Sequence, residues 1–199
     1  MIVVDVEATG TDSVKHSLLS VAAVEFEKPE RQFYEECRIF DGAHIDKEAL
    51  EVNGFREDEI TDSRKKTDGE VVENFLRWAK EAEDRTIAGQ NPCFDHDFLR
   101  QTAKRYHLDW PMAYRLIDLH SIAWFHLVRR GIAPPLKNNH SDLGLDEILR
   151  YLGLPTRTAF HNALEDAKLE AEAFSRLINE KPLFEEYSKF PLRRLEEER

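Results

Sequence analysis

The chain has 199 residues, of which 41% are hydrophobic and 34% charged, and this balance predicts one globular domain and excludes a disordered chain. Its 28 Lys and Arg against 39 Asp and Glu give a net charge of −11, which argues against a protein that grips nucleic acid through a broad basic face. Two cysteines are too few for a disulfide framework. We expect no signal peptide and no membrane span, and therefore a soluble, cytoplasmic protein.

In chain order, the apolar pattern predicts three strands, followed by helices interleaved with short strands. Strand-like segments occupy residues 2–7, 18–26, 33–39 and 86–88, and a further short apolar segment lies at 116–117. Helices are predicted at residues 46–53, 68–83, 92–107, 119–129, 143–152 and 163–178. Paired prolines and paired asparagines make residues 131–142 a predicted loop, and the whole order fits one mixed α/β domain.

Two carboxylates share one face of the first predicted strand. Asp5 and Glu7 are two residues apart, so their side chains point the same way, and their apolar neighbours point to the opposite face. In a central, buried strand such a pair is costly unless it is paired or bound to a metal ion. The alternative is an edge strand whose polar face meets solvent. Thr9 and Gly10 then end the strand in a turn where backbone N–H groups can approach a ligand closely.

A third carboxylate lies near the start of a predicted helix. Asn91 is a suitable N-cap and Pro92 suits the first helical position, which places Asp95 in the first turn. Phe98 and Leu99 follow at helical spacing, so Asp95 shares the apolar face that should pack on the core. The alternative is a salt-bridged aspartate at a helix start.

The last cluster surrounds the start of the final long helix. Asn162 and Glu165 have the spacing of a capping pair, which places His161 just before the helix and Asp166 at its fourth position. Residues at these two positions normally touch each other, so we expect His161 and Asp166 to be in contact.

Together these residues predict metal-assisted phosphoryl hydrolysis. Clusters of carboxylate oxygens suit hard cations such as Mg²⁺ and Mn²⁺, and two such ions can clamp the attacking and leaving oxygens of a phosphodiester. A neutral histidine nearby can take a proton from the attacking water. The net charge of −11 therefore has two explanations. Some carboxylates are clustered to hold metal ions, or the surface charge keeps the protein soluble.

Three motifs in order resemble those of the DEDDh 3′→5′ exonucleases, the family that includes RNase T and the proofreading epsilon subunit of bacterial DNA polymerase III. They are D-x-E-x-T-G at residues 5–10, N-x-x-F-D-x-x-F-L at 91–99 and H-x-A-x-x-D-A at 161–167. The resemblance extends from residue 1 to about 178. It implies a ribonuclease H-like α/β fold, in which helices flank a mixed five-stranded sheet with the first strand at its centre.

By position, the resemblance also implies roles for individual residues. The acids that hold two Mg²⁺ or Mn²⁺ ions would be Asp5, Glu7, Asp95 and Asp166, with His161 as the general base. The 3′-terminal nucleotide would be held by the backbone of Thr9 and Gly10, lined by Phe98 and positioned with the help of Asn91. Thr11 stands where relatives often carry an apolar residue that wedges against the terminal base, so no wedge is expected at this position.

The resemblance implies an enzyme that removes nucleoside 5′-monophosphates from single-stranded or frayed 3′ ends, and the motifs leave DNA and RNA as alternatives. We predict an exonuclease domain over residues 1–180, followed at 181–199 by either a charged tail or a packing helix. An alternative function is an exonuclease-fold scaffold that docks a polymerase, another partner or a second copy through this tail.

Overall fold

The computed structural model describes residues 1–157 and 161–192 and is built on a five-stranded mixed sheet. Its strands are β1 (Ile2–Ala8), β2 (Leu18–Glu25), β3 (Gln32–Glu36), β4 (Ile87–Gly89) and β5 (Ile117–Asp118), in the order β3-β2-β1-β4-β5. β1 pairs antiparallel with β2 and parallel with β4. The prediction of a mixed sheet with the first strand at its centre is therefore confirmed.

Helices cover both faces of this sheet. They are α1 (Lys47–Asn53), α2 (Glu57–Ile60), α3 (Asp68–Ala79), α4 (Pro92–Arg105), α5 (Leu119–Arg129), α6 (Leu145–Leu152) and α7 (Ala163–Asn179). One apolar core lies between the sheet and α5, α6 and α7, and a second lies between the sheet and α3 and α4. Val3 packs in the first core and Val4 in the second, so β1 is buried on both faces and is not an edge strand.

The predicted loop at residues 131–142 is wrong in part, because it contains a two-stranded hairpin. Strands β6 (Leu136–Lys137) and β7 (His140–Ser141) pair antiparallel around Asn138 and Asn139. Both asparagines have positive φ, at 51° and 64°, which is the backbone of a tight hairpin turn. The two strands are too short for a periodic signal.

Other corrections concern the ends of elements. β3 ends at Glu36 rather than at residue 39, and α3 ends at Ala79 rather than at residue 83. α4 ends two residues before the predicted position, because His107 adopts a left-handed φ of 54° that no α-helix accommodates.

The C-terminal segment packs against α7 as far as it is described. The buried Arg176 pairs with Glu172, with 2.6 Å between Nε and Oε1, and donates to the carbonyl oxygens of Tyr187 and Pro191 at 2.7 Å. The chain there forms a short 3₁₀ turn at Glu185–Tyr187. Residues 193–199 of the predicted tail lie outside the described residues, and the division at residue 180 stays a prediction. Of the helices described, none combines the length and apolar character of a membrane span.

Candidate active site

The predicted acids converge at one end of β1. Asp5 and Glu7 lie on the face of β1 that looks towards α7, which carries Asp166. Asp95 reaches the same place from α4, where its Oδ1 accepts a hydrogen bond of 2.9 Å from the N–H of Val6. Glu7, Asp95 and Asp166 are buried, and Asp5 is partly exposed. The structure therefore brings together four carboxylates that are far apart in the sequence.

His161 joins this cluster at the start of α7. The side chain of Asn162 accepts hydrogen bonds from the N–H groups of Leu164 and Glu165, at 3.1 and 3.2 Å, so its predicted capping role is confirmed. This cap fixes His161 and Asp166 relative to each other. One potential ligand atom from each of Glu7, His161 and Asp166 lies within 4.8 Å of the other two.

Crowding of buried carboxylates raises their affinity for protons. Burial, followed by repulsion from Asp166 and Asp95, raises the pKa of Glu7 to about 8. Burial also raises the pKa of Asp95 to about 7, although the hydrogen bond from Val6 opposes the change. The pKa of Asp5 rises well above its ordinary value, first through burial and then through repulsion from neighbouring acids. Near neutral pH, full ionisation of this cluster requires added positive charge.

A fifth acid, Glu170, lies one helical turn after Asp166 and was not predicted. Its side chain is only 2% exposed, and burial raises its pKa well above the ordinary value. Its Oε2 accepts no hydrogen bond from any residue that the structure describes. Glu170 could not be predicted from the sequence because a glutamate in the charge-rich run of α7 is typical of a solvated helix face. The spacing of four from Asp166 is the one signal that places both on the same face.

Arg157 is a second residue of the cluster that is not among the predicted site residues. Its Nε and Nη2 donate to Asp146, at 3.2 and 3.3 Å, and its Nη1 lies 3.4 Å from Asp166 Oδ2 and 3.4 Å from His161 Nδ1. Burial, followed by the charge of Arg157, lowers the pKa of His161, so this imidazole is neutral at neutral pH. The pKa of Asp166 rises to about 6 through burial, and Arg157 opposes the rise.

The donors present fit divalent cations. The cluster consists of carboxylate oxygens and one neutral imidazole, a set that suits Mg²⁺ or Mn²⁺. Burial and then mutual repulsion raise the pKa of Asp5 and Glu7, so nearby positive charge would favour their ionised forms, and Arg157 already supplies positive charge to Asp166.

A cavity of about 420 Å³ adjoins the acids. Its walls come from the end of β1 with the following turn, from α1, and from the start of α4, and they include Asp5, Gly10, Thr11, Ala49, Val52, Asn91, Phe94 and His161. The predicted Phe98 is buried in the core, where its ring packs 4.8 Å from that of Phe94. Phe94 lines this cavity, because α4 turns Asp95 and Phe98 towards the sheet and leaves Phe94 at the edge of that buried face. Phe98 lines a smaller cavity next to it, together with Thr11 and Asn91, and its contact with a nucleotide stays a prediction.

Thr9 and Gly10 have different places in the turn after β1. Thr9 is buried, its N–H donates to the carbonyl of Ser17 at 2.9 Å, and its carbonyl accepts from the N–H of Asp46 at 2.8 Å. Its backbone groups are thus engaged within the protein, and Gly10 is the residue that lines the cavity. A Cβ on Gly10 would lie 2.5 Å from the His16 ring and from the Asp46 carboxylate, so this close approach requires glycine.

Asn91 does not act as the predicted side-chain cap of α4. Its φ of 57° is left-handed, which asparagine tolerates better than most residues, and its side chain makes no capping hydrogen bond. Its N–H instead donates to Asp118 Oδ1 at 3.3 Å, and the side chain lies on the cavity wall. A positioning role in the site stays a prediction.

The mixed five-stranded sheet, with acids gathered at one end of its central strand, defines a ribonuclease H-like α/β domain with a candidate metal site. The sequence model of the RNase T family, described as an exonuclease, matches residues 2–174, and the chain belongs to this exonuclease family.

Solved structures of similar fold include three nucleases. Cell-death related nuclease 4 (CRN-4) superposes with a TM-score of 0.71 at 18% identity, over 92% of this chain and 64% of that chain. Exonuclease I of E. coli in complex with a dA16 oligonucleotide gives 0.71 at 18% identity, over 90% of this chain and 40% of that chain. The nuclease domain of 3′hExo, a DEDDh family member bound to rAMP, gives 0.69 at 15% identity, over 97% and 95%. The chain thus spans less than two thirds of the length of the first two. A search of curated protein sequences finds no match.

Proposed function

We propose that this protein is a metal-dependent exonuclease that hydrolyses the last phosphodiester at the 3′ end of a single-stranded or frayed nucleic acid and releases nucleoside 5′-monophosphates. The observation that carries the proposal is the convergence of four buried or half-buried acids and His161 from distant parts of the chain. Membership of the exonuclease family supports it. So do the neighbours of similar fold, of which one holds a DNA oligonucleotide and another a ribonucleotide.

Asp5, Glu7, Asp95 and Asp166 would hold two divalent cations. Bound there, the cations would polarise the phosphodiester and stabilise negative charge on the attacking and leaving oxygens. The carboxylates would then be ionised throughout the neutral range, since nearby positive charge lowers a carboxyl pKa.

His161 would take the proton of the attacking water. Its lowered pKa keeps the imidazole neutral, which is the form that can accept a proton. Its backbone N–H donates to the carbonyl of Val52 at 3.2 Å, and this bond fixes the histidine beside the cavity.

The terminal nucleotide would occupy the cavity with its base between Phe94 on one side and Ala49 and Val52 of α1 on the other. Val52 is 49% exposed and would supply the apolar contact that is not expected from Thr11. The backbone of Gly10 would lie against the sugar.

The test is a hydrolysis assay with Mg²⁺ or Mn²⁺ on matched 5′-labelled RNA, single-stranded DNA and mismatched duplex DNA, with product sizes measured. We expect ladders that shorten from the 3′ end, and no cleavage of a circular single strand. D166N should abolish hydrolysis, and the adjacent, exposed Glu165 provides the matched control E165Q, which should retain activity. H161A should remain folded and slow hydrolysis by roughly 10²–10⁴-fold.

A fully active D166N would refute the proposed assignment of the acids. If the wild-type protein hydrolysed none of the substrates, the scaffold hypothesis would be favoured instead.

A further inference from the structure

Arg157 makes a set of contacts that the proposed hydrolysis does not explain. Its guanidinium lies between Asp146 of α6 and the acid cluster, and Nη1 approaches both Asp166 Oδ2 and His161 Nδ1 at 3.4 Å. The charge of Arg157 also acts on Glu7 and Glu170. An arginine that contacts both a proposed metal ligand, Asp166, and the proposed general base, His161, needs an explanation.

This position conflicts with a loaded site. A divalent ion held by Glu7 and Asp166 would use the carboxylate that Arg157 contacts, and two cations on one carboxylate repel each other. In addition, a hydrogen bond donated by Arg157 occupies the lone pair of His161 Nδ1, which leaves the ring proton on Nε2. In this arrangement His161 has no free nitrogen to accept a proton.

Asp146 gives Arg157 an anchor that does not depend on the acid cluster. The carboxylate of Asp146 accepts hydrogen bonds from Nε and Nη2 of Arg157. Nη1 is then the donor that faces the acid cluster. Asp146 is fixed in turn because α6 buries Leu145 and Ile148 in the core. The guanidinium can therefore leave Asp166 and stay bound to Asp146, next to His161, which lines the cavity.

We propose that Arg157 is a placeholder cation, which neutralises Asp166 in the metal-free protein and, once a divalent ion displaces it, donates Nη1 to the phosphate of the bound nucleotide. This inference rests on the proposed function. A phosphate entering a cluster of acids needs local cations, and the planar fork of arginine suits both partners, the carboxylate of Asp146 and a phosphate oxygen.

The test uses two variants with opposite expected effects, R157M and D146N, in the full chain. Calorimetric titration of Mn²⁺ into the metal-free protein should show binding about fivefold or more tighter in R157M, since the competing cation is gone. It should show weaker binding in D146N, because Arg157 loses its anchor and relies more on Asp166. The exposed Arg150, paired with Glu147 on the outside of α6, provides the control R150M, which should bind Mn²⁺ like the wild type.

The phosphate contact is tested by nucleotide binding in the presence of Mn²⁺. R157M should bind a nucleoside 5′-monophosphate about tenfold more weakly and the nucleoside itself with unchanged affinity, and R157K should fall between R157M and the wild type. Unchanged or weaker Mn²⁺ binding in folded R157M, or a shift of both variants in the same direction, would overturn the placeholder role. Equal losses for nucleotide and nucleoside would overturn the phosphate contact.

Failure of this inference differs from failure of the proposed function. If the proposed function is wrong, the wild-type protein neither binds Mn²⁺ in a manner that D166N abolishes nor hydrolyses nucleic acid. If only the inference is wrong, the wild type does both, and R157M and R150M have the same Mn²⁺ affinity.

Discussion

Glu7 holds its proton more tightly in the folded, metal-free protein than in the unfolded chain. Burial and the neighbouring acids raise its pKa from 4.5 to about 8. A carboxyl group whose pKa is raised by folding stabilises the fold fully below its unfolded pKa, and that contribution is lost as the pH rises through the folded pKa. The contribution of Glu7 should therefore disappear between about pH 4.5 and 8.

The substitution E7Q tests this linkage, because glutamine cannot titrate. In EDTA, the free energy of unfolding of E7Q relative to the wild type should increase by about 1–3 kcal/mol from pH 5 to pH 9. Urea unfolding at several pH values measures it, with E165Q as the control. Added Mg²⁺ should stabilise the wild type at pH 8 more than E7Q. Parallel pH profiles for the two proteins would contradict the raised pKa.

Substitutions of Phe94 and Phe98 can distinguish a residue that contacts the substrate from a residue that packs in the core. F98A removes a ring that is 1% exposed and should cost about 3–5 kcal/mol in the free energy of unfolding. F94A removes a half-buried ring on the cavity wall, so it should raise KM with a smaller loss of stability. Urea unfolding and steady-state hydrolysis measure the two effects. A larger rise in KM for F98A, at a temperature where both variants are folded, would instead identify Phe98 as the contact, as the family resemblance implies.

At the scale of elements, strong local signals were predictable from the sequence. α5 starts and ends at the predicted residues because its apolar run is long and Asp118 caps it, accepting from the N–H of His120 at 3.1 Å. The four-residue α2 was missed, since one helical turn has no measurable period. Tertiary packing, rather than propensity, holds such short segments in place.

The candidate site also contains some residues that the sequence predicts and others that it does not. Asp5 and Glu7 were identifiable because two carboxylates on one face of an apolar strand are costly. Glu170 and Arg157 are not among the predicted site residues, because each looks like an ordinary charged residue until the fold brings it to the cluster. Phe94 could not be predicted either, because spacing on a helix locates the buried face and does not reveal which residue at its edge meets a cavity.

The pairing of α7 with the C-terminal segment gives a prediction for these elements. Glu172 and Arg176 are almost fully buried, and Glu172 also accepts from the N–H of Leu183 at 2.8 Å. R176M leaves a buried carboxylate without its cation and should lower the free energy of unfolding by roughly 3–5 kcal/mol. The double variant E172L/R176M should recover part of the loss in urea unfolding. If both proteins lose the same stability, the pair itself is not the cause.

That ion pair also affects any test of the scaffold hypothesis. Removal of the chain after Glu180 would strip Arg176 of its carbonyl partners at Tyr187 and Pro191, so the shortened protein would be destabilised. Lost partner binding by such a protein would not identify a docking tail.

At the scale of the whole molecule, the net charge of −11 sets how the protein meets a polyanion. Two bound divalent ions would reduce it to about −7, which still repels nucleic acid at a distance. Attraction would then come from short-range contacts at the site. The proposed ones are the stacking of a base on Phe94 and a hydrogen bond from Arg157 to the terminal phosphate.

This balance predicts a distributive enzyme. Each cleavage would remove the nucleotide that makes most of the proposed contacts, and without a broad basic face little would hold the shortened strand during its transfer. With a labelled single strand in excess, followed by an unlabelled trap, we expect a ladder of intermediates and an arrest of shortening once the trap is added. Salt should weaken binding through the few cationic contacts, so KM should rise with ionic strength while kcat changes little. Complete digestion of a long strand in the presence of the trap at physiological salt would show that the enzyme is processive and would contradict this prediction.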